Sequence, residues 1–164
     1  MVVLDFGCKD RKIQGAIGVD IDPAINPDVI CDFHKSPYPF EDNYADEIYA
    51  KHIIEHLDYP KMFVEEIFRI LKPGGVVFIE TPHFSNYVAY ADPQHKLYYS
   101  YFMFRRFIEK FKDQIDIIDY KMTFYKTFRF FGIQALANKF PESYERFWTY
   151  LFPAESIILK FAKK

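Results

Sequence analysis

The sequence predicts an α/β fold, a mostly parallel sheet wound on both faces by helices. Three observations lead there. The first half alternates short apolar runs rich in β-branched residues with connecting segments, as strands buried on both faces do. A single clear amphipathic helix lies between the fourth and fifth runs. Acidic residues stand at the ends of the first three runs, where an open α/β sheet binds ligands.

The runs are Val2–Phe6 ending at Gly7, Ala16–Val19 ending at Asp20, Val29–Cys31 ending at Asp32, Glu47–Ala50 and Val76–Glu80. The helix is expected from about Pro60 to Leu71, with Phe63, Val64, Ile67, Ile70 and Leu71 on one face. Pro60 suits its first turn, and Lys72-Pro73-Gly74-Gly75 is expected to end it with a cation, a breaker and a flexible turn. Downstream, Ser100 is a candidate N-cap for a helix carrying Tyr101, Phe104, Phe107, Ile108 and Phe111. Ile115–Tyr120 reads as a sixth strand, Gly132–Phe140 and Tyr144–Leu151 as helices, and Ile157–Phe161 as the final strand. The mixed stretch "YKMTFYKTFRFFG" reads as an alternating strand with its basic residues toward solvent, although basic and aromatic interleaving also suits a membrane interface or nucleic acid.

No repeat, low-complexity tract or linker divides the 164 residues, so one domain is expected. With 50% hydrophobic and 27% charged residues the chain can bury a sizeable core. A net charge of −2 makes no global case for a nucleic-acid partner or an anionic membrane. Cys8 and Cys31 form no C-x-x-C clip, and there is no signal peptide or continuous apolar span, so a reduced cytoplasmic protein is expected. Aromatic residues make up 20% of the chain and concentrate after residue 83; some are expected in the core, and an exposed remnant offers a homodimer contact.

An acid ending the second strand is a device for gripping ribose hydroxyls. A dinucleotide would further require G-x-G-x-x-G opening a helix that holds a pyrophosphate. The stretch "DFGCKDRKIQGAIGVD" instead places Lys9 and Arg11 where further glycines belong, and Gly7 to Ala16 leaves no room for a full crossover helix. A ligand without phosphates needs no such cradle.

The blocks "VVLDFGCKD", "IGVDIDP", "DVICDFHKSPYPFEDNYADEIYAKHIIEHL" and "EEIFRILKPGGVVFIETP" resemble the successive motifs of class I S-adenosylmethionine-dependent methyltransferases over residues 2–82. The resemblance implies a Rossmann-like three-layer sandwich with an antiparallel last strand, a cofactor-binding half at 1–82 and a substrate-side half at 83–164. It implies that Asp5 and Gly7 face the methionine end of S-adenosylmethionine, that Asp20 binds the ribose hydroxyls, that Asp32 lies near the adenine amino group with Phe33 packing on the base, and that Ile21 is cofactor-binding. Ala50, Lys51 and His52 are then the loop beside the methyl donor, with His56 among the cofactor-binding residues. Against the family pattern, Lys9 replaces the second glycine of the Gly-rich loop, the first crossover is short, and the helix that usually precedes the first strand is missing. Arg11 or Lys12 is expected to compensate by pairing with the methionine carboxylate.

His52-Ile53-Ile54-Glu55-His56 also matches H-x-x-E-H, a zinc peptidase signature. That chemistry needs both histidines on one face of a continuing helix and a third ligand. Here the segment starts where a strand ends and Pro60 begins a new helix, so no resident metal is expected and Glu55 and His56 are read as closing the cofactor pocket or orienting its loop.

The stretch "PHFSNYVAYADPQHKLYYS" is too polar and irregular for a core element and is expected to form the acceptor pocket. It resembles a "PHFSS…DPTHKR" stretch of some bacterial methyltransferases. His95, then His83, are the candidate bases, with Asp92 orienting or binding substrate. The alternatives are hydrogen bonding within the loop, or a metal held by His83, Asp92 and His95. The expectation is a methyltransferase acting on a small-molecule or cell-envelope-type acceptor; the alternative is a degenerate cofactor-binding or scaffolding protein.

Overall fold

A computed structural model describes residues 1–164. Strands β1 (Val3–Phe6), β2 (Ile17–Asp20), β3 (Val29–Ile30), β4 (Ala45–Lys51), β5 (Leu71–Pro82), β6 (Ile115–Met122) and β7 (Ser156–Lys163) form one sheet in the order β3-β2-β1-β4-β5-β7-β6. Neighbouring pairs from β3 to β5 are parallel, and β7 runs antiparallel to both β5 and β6. The order turns at β1, which lies between β2 and β4, and this switch point brings the carboxyl ends of β1, β2 and β4 together.

The expected Rossmann-like three-layer class is therefore the observed one, with the antiparallel last strand. No helix spans the β1–β2 connection, as its length required. Helix α1 (Pro60–Ile70) has Pro60 in its first turn and buries Phe63, Val64, Ile67 and Ile70. Its Glu66 and Arg69 do more than solvate a face. Glu66 accepts from Tyr38 N–H at 2.7 Å, Ser36 Oγ at 3.1 Å and Arg69 Nη2 at 2.7 Å. Arg69 in turn donates to the carbonyls of Tyr38 and Phe40, so one helix turn fastens the whole 36–42 segment.

Three expectations need correction. Lys72-Pro73-Gly74-Gly75 does not simply follow the helix. It bulges out of β5, whose Leu71 and Val76 pair with Ala45 and Glu47, and Lys72 there binds Asp46 at 2.8 Å. The stretch after β5 is not a surface loop. It forms α2 (Val88–Ala91) and buries His83, Asn86, Ala89 and Tyr99, because Asn86 satisfies it internally by donating to Glu155 O and accepting from Val88 N–H and Tyr125 OH. Finally, "YKMTFYKTFRFFG" is not one strand. β6 stops at Met122, Thr123 still exchanges backbone hydrogen bonds with Ser156 and Glu155, and Lys126–Phe130 is helical.

Helix α3 (Tyr101–Glu109) is capped by Ser100, whose Oγ accepts from Met103 N–H at 3.1 Å. Beyond it lie α4 (Lys126–Phe130), α5 (Ile133–Lys139), and a turn at Pro141–Ser143 running into a π-helical segment, Tyr144–Trp148. The core runs from Leu4, Phe6 and Val19 through Ile48, Ile67 and Val77 to Phe104, Phe124, Ile157 and Leu159. The later aromatics divide: Phe104, Phe124 and Tyr144 are buried, whereas Phe130, Phe131, Phe147 and Tyr150 face outward. No helix is long and apolar enough to cross a membrane.

Candidate functional site

The site begins with the residue that follows β1. Gly7 has φ +67°, and a Cβ built on it would stand 2.4 Å from Ile53 Cδ1, so only glycine fits between the strand end and the β4 loop. Lys9, where the family carries a second glycine, adopts φ +45°, a left-handed conformation costly for a residue with a Cβ. Two acids hold the loop in this shape. Asp5 Oδ2 accepts from Ile13 N–H at 2.8 Å and Asp20 Oδ2 from Lys9 N–H at 3.1 Å. Burial pushes the Asp5 carboxyl up, opposed by the Ile13 donor and by Lys51.

Asp20 Oδ1 accepts from Asp22 N–H at 3.1 Å, so each of its oxygens has one backbone donor and retains lone-pair capacity for a hydroxyl. Ile21 beside it is 52% exposed and presents an apolar face. Asp32 follows β3. Its carboxyl is held below its usual range by Lys35 at 2.9 Å and by His34 N–H. Its ionised oxygens suit an exocyclic amino group. These features fit an adenosine moiety: acceptors for two hydroxyls, an acceptor for an amine, an apolar face and a glycine-only approach. Phe33 departs from the expectation. Its ring is buried among Phe6 (5.1 Å), Tyr38 (5.5 Å) and Phe63 (5.9 Å), because core packing claims a fully apolar ring next to the first strand. Lys12 is engaged by Asp28 at 2.8 Å, which leaves Arg11 as the loop cation free for a carboxylate.

The loop after β4 carries the second half of the site. Ala50 is buried in the strand, and Lys51 lies over the Phe78 ring at 5.4 Å. His52 takes φ +53°, an unusual backbone state of the kind that collects at functional sites. Ile54–His56 is one 3-10 turn, so the helix required by a zinc peptidase is absent. Glu55 nevertheless points inward. It is 1% exposed, and its Oε2 accepts from Thr81 Oγ1 at 3.0 Å. Its Oε1 has no well-aligned hydrogen-bond donor, although His52 Nδ1 approaches it at 3.3 Å and His95 Nε2 at 4.0 Å. Glu55 raises His52 above the ordinary imidazole value, against the effect of burial. Burial lowers His56, and His95, whose ring centroid is 4.6 Å away, lowers it further against the pull of Glu55.

His95 arrives from the segment after α2. Its Nδ1 lies 2.9 Å from Ala89 O, so that nitrogen carries a proton and Nε2 is turned toward Glu55 Oε1, 4.0 Å away. The backbone ties the two loops: Lys96 and Leu97 N–H both donate to Glu55 O, at 2.8 and 3.1 Å. The other candidates of this segment go elsewhere. His83 is wholly buried with Nδ1 on Ser85 Oγ and Nε2 on Glu145 Oε1 (3.0 Å), so neither nitrogen is free for a substrate. Asp92 caps its own turn by accepting from Gln94 N–H at 2.8 Å, and it is Ala89 O, not Asp92, that orients the His95 ring. The sequence singled out Glu55 through H-x-x-E-H and as a residue closing the pocket or orienting its loop; that it meets His95 of the later segment was not visible there.

Residues 11–79 match the family described as "Methyltransferase domain". The mitochondrial ubiquinone biosynthesis O-methyltransferase of Mus musculus is 29% identical over 105 residues, covering 49% of this chain, and the chain spans 28% of that protein's length. A SAM-dependent methyltransferase from Archaeoglobus fulgidus superposes with TM-score 0.65 at 22% identity, over 99% of this chain and 85% of that one. The phosphoethanolamine N-methyltransferase 2 of Haemonchus contortus, in complex with S-adenosyl-L-methionine, gives 0.64 at 19% identity over 100% of this chain and 48% of that one. Sheet order and the match over residues 11–79 agree: the chain has the fold of S-adenosylmethionine-dependent methyltransferases and is similar in sequence to the methyltransferase domain there.

Proposed function

We propose that this chain binds S-adenosylmethionine along the carboxyl edge of β1 to β4 and methylates an oxygen of a small-molecule acceptor. One observation carries the reading: Asp5 and Asp20, on adjacent parallel strands at the switch point, converge on the loop at Lys9–Ile13. Asp20 would accept from the ribose hydroxyls, with Ile21 against the base and Asp32 at its amino group. Gly7 keeps the strand end open, and Arg11 is the cation that meets the amino-acid carboxylate.

When bound, the sulfonium cofactor supplies an electrophilic methyl group. The residues then have to align an acceptor and, for a hydroxyl, relieve it of its proton. His95 Nε2 can hold that proton, and Glu55 beside it stabilises the imidazolium that results. Oxygen as the acceptor atom is supported by the O-methyltransferase relatives. Cys8 and Cys31 are buried free thiols, and burial pushes Cys31 up to about 12, which suits a reducing cytoplasm.

Isothermal titration calorimetry with S-adenosylmethionine and with its demethylated product tests the reading. Saturable binding of both is expected. Binding of neither would retire it and favour a scaffolding role.

A further inference from the structure

Glu55, His56 and His95 form a cluster that the methyl-transfer reading does not fully use. One ligand atom from each lies within 4.8 Å of the others, and they come from two loops pinned together by the Lys96 and Leu97 N–H groups on Glu55 O. We infer that these three side chains form a binding site for a divalent metal ion of the zinc or manganese class.

Two independent features point to a ligand. Glu55 Oε1 is buried without a hydrogen-bond partner, an arrangement that costs free energy unless something else completes it. Both imidazoles are also oriented through their other nitrogen. His95 Nδ1 donates to Ala89 O at 2.9 Å and His56 Nδ1 to Gln94 O at 3.3 Å, which leaves each Nε2 as the nitrogen available to a metal once unprotonated. Histidines that bind metals are held in this way, by a backbone carbonyl on the far ring nitrogen.

Two imidazoles and one carboxylate form a recurrent three-ligand set for zinc with a coordination position left over. In a tetrahedral zinc site the donor atoms lie about 3.3 Å apart. Closing the present separations to that value needs movements of roughly an ångström, within reach of side-chain rotation. His52 Nδ1, 3.3 Å from the same Glu55 oxygen and half-exposed, is the nearest fourth donor.

An ion held by three side chains keeps a coordination position for a further oxygen, and on the reading above an acceptor hydroxyl or enol oxygen would take it. This last clause rests on the methyltransferase reading; the metal site does not. With the ion in place His95 would be a ligand, and an ion-bound acceptor hydroxyl would be acidified enough to pass its proton to solvent.

The test is calorimetric titration of the full, metal-stripped chain with Zn²⁺ and with Mn²⁺, beside the visible spectrum of the Co²⁺-loaded protein. One equivalent of ion is expected, with Co²⁺ bands showing imidazole nitrogen ligation. Glu55→Gln and His95→Ala should each weaken binding more than about 100-fold, since even changes to groups behind the ligands cost 10–100-fold. His34→Ala, at a surface histidine paired with Asp58, should leave it unchanged. Circular dichroism checks that the variants fold, and the wild-type Co²⁺ spectrum decides the matter if they do not. Weak binding of several ions, unaffected by Glu55→Gln and His95→Ala, would show adventitious surface binding only and overturn the inference. Titration with S-adenosylmethionine on the same stripped sample separates the two claims: ion binding without cofactor binding sinks the methyltransferase reading alone, and the reverse sinks the metal site alone.

Discussion

Lys9 N–H donates to Asp20 Oδ2 at 3.1 Å, so the acid that ends the second strand also clamps the loop that leaves the first. One carboxylate thus has two tasks, shaping the loop and presenting acceptor atoms to a ligand. Asp20→Ala should remove both. A charge-assisted hydrogen bond contributes about 1.5–3 kcal/mol, so affinity for S-adenosylmethionine should fall at least tenfold by calorimetry. Unchanged affinity would refute the ribose assignment.

Lys9 carries a side chain at φ +45°, where glycine is at ease. Lys9→Gly should therefore stabilise the fold, by up to about 1 kcal/mol, because relief of left-handed strain exceeds the extra entropy of the unfolded chain. Lys9→Val should do the opposite. Urea denaturation midpoints of the three proteins decide it, and a Gly variant less stable than wild type would mean that the Lys9 side chain is not replaceable there.

Gly7 is the stricter case. Gly7→Ala meets both a φ of +67° and the Ile53 side chain, and should cost about 2–4 kcal/mol. Truncating Ile53 to Ala in the same chain should recover the steric part but not the conformational part. A double variant no better than the single one would locate the whole penalty in the backbone.

The Glu66–Arg69 pair predicts an acid limit. Burial alone would raise the Glu66 carboxyl, but Arg69, Tyr38 N–H and Ser36 Oγ outweigh it and hold it below its ordinary value of 4.5. A group with a depressed folded-state value contributes stability above its unfolded value and loses it as pH falls through the folded one. Stability should therefore decline as pH drops below about 4.5, and Glu66→Gln should flatten that slope while lowering stability at pH 7 by about 3 kcal/mol, the scale of a broken buried pair. Thermal melts from pH 7 to pH 3 measure both; a Gln variant with the wild-type slope would assign the acid limit to other carboxylates.

The elements were legible because their causes are local. The apolar spacing of Phe63, Val64, Ile67 and Ile70 sets α1, Ser100 caps α3, and the β-rich runs set the strands to within a residue or two except β5, which starts at Leu71, five residues before its apolar run, so fold class and the strand-end acids could be read along the chain. What distinguishes a ligand-facing residue from a packed one is not local. Phe33 looks free to meet a base until Phe6, Tyr38 and Phe63 close around it, and His83 looks free to act until Ser85 and Glu145 take both its nitrogens. Glu55, His56 and His95 belong to two loops far apart in sequence, and only the sheet and the hydrogen bonds to Glu55 O bring them within reach of one ion. Period and capping act over a few residues and are written in order, whereas burial and convergence depend on which surfaces meet, and that is decided when the sheet folds.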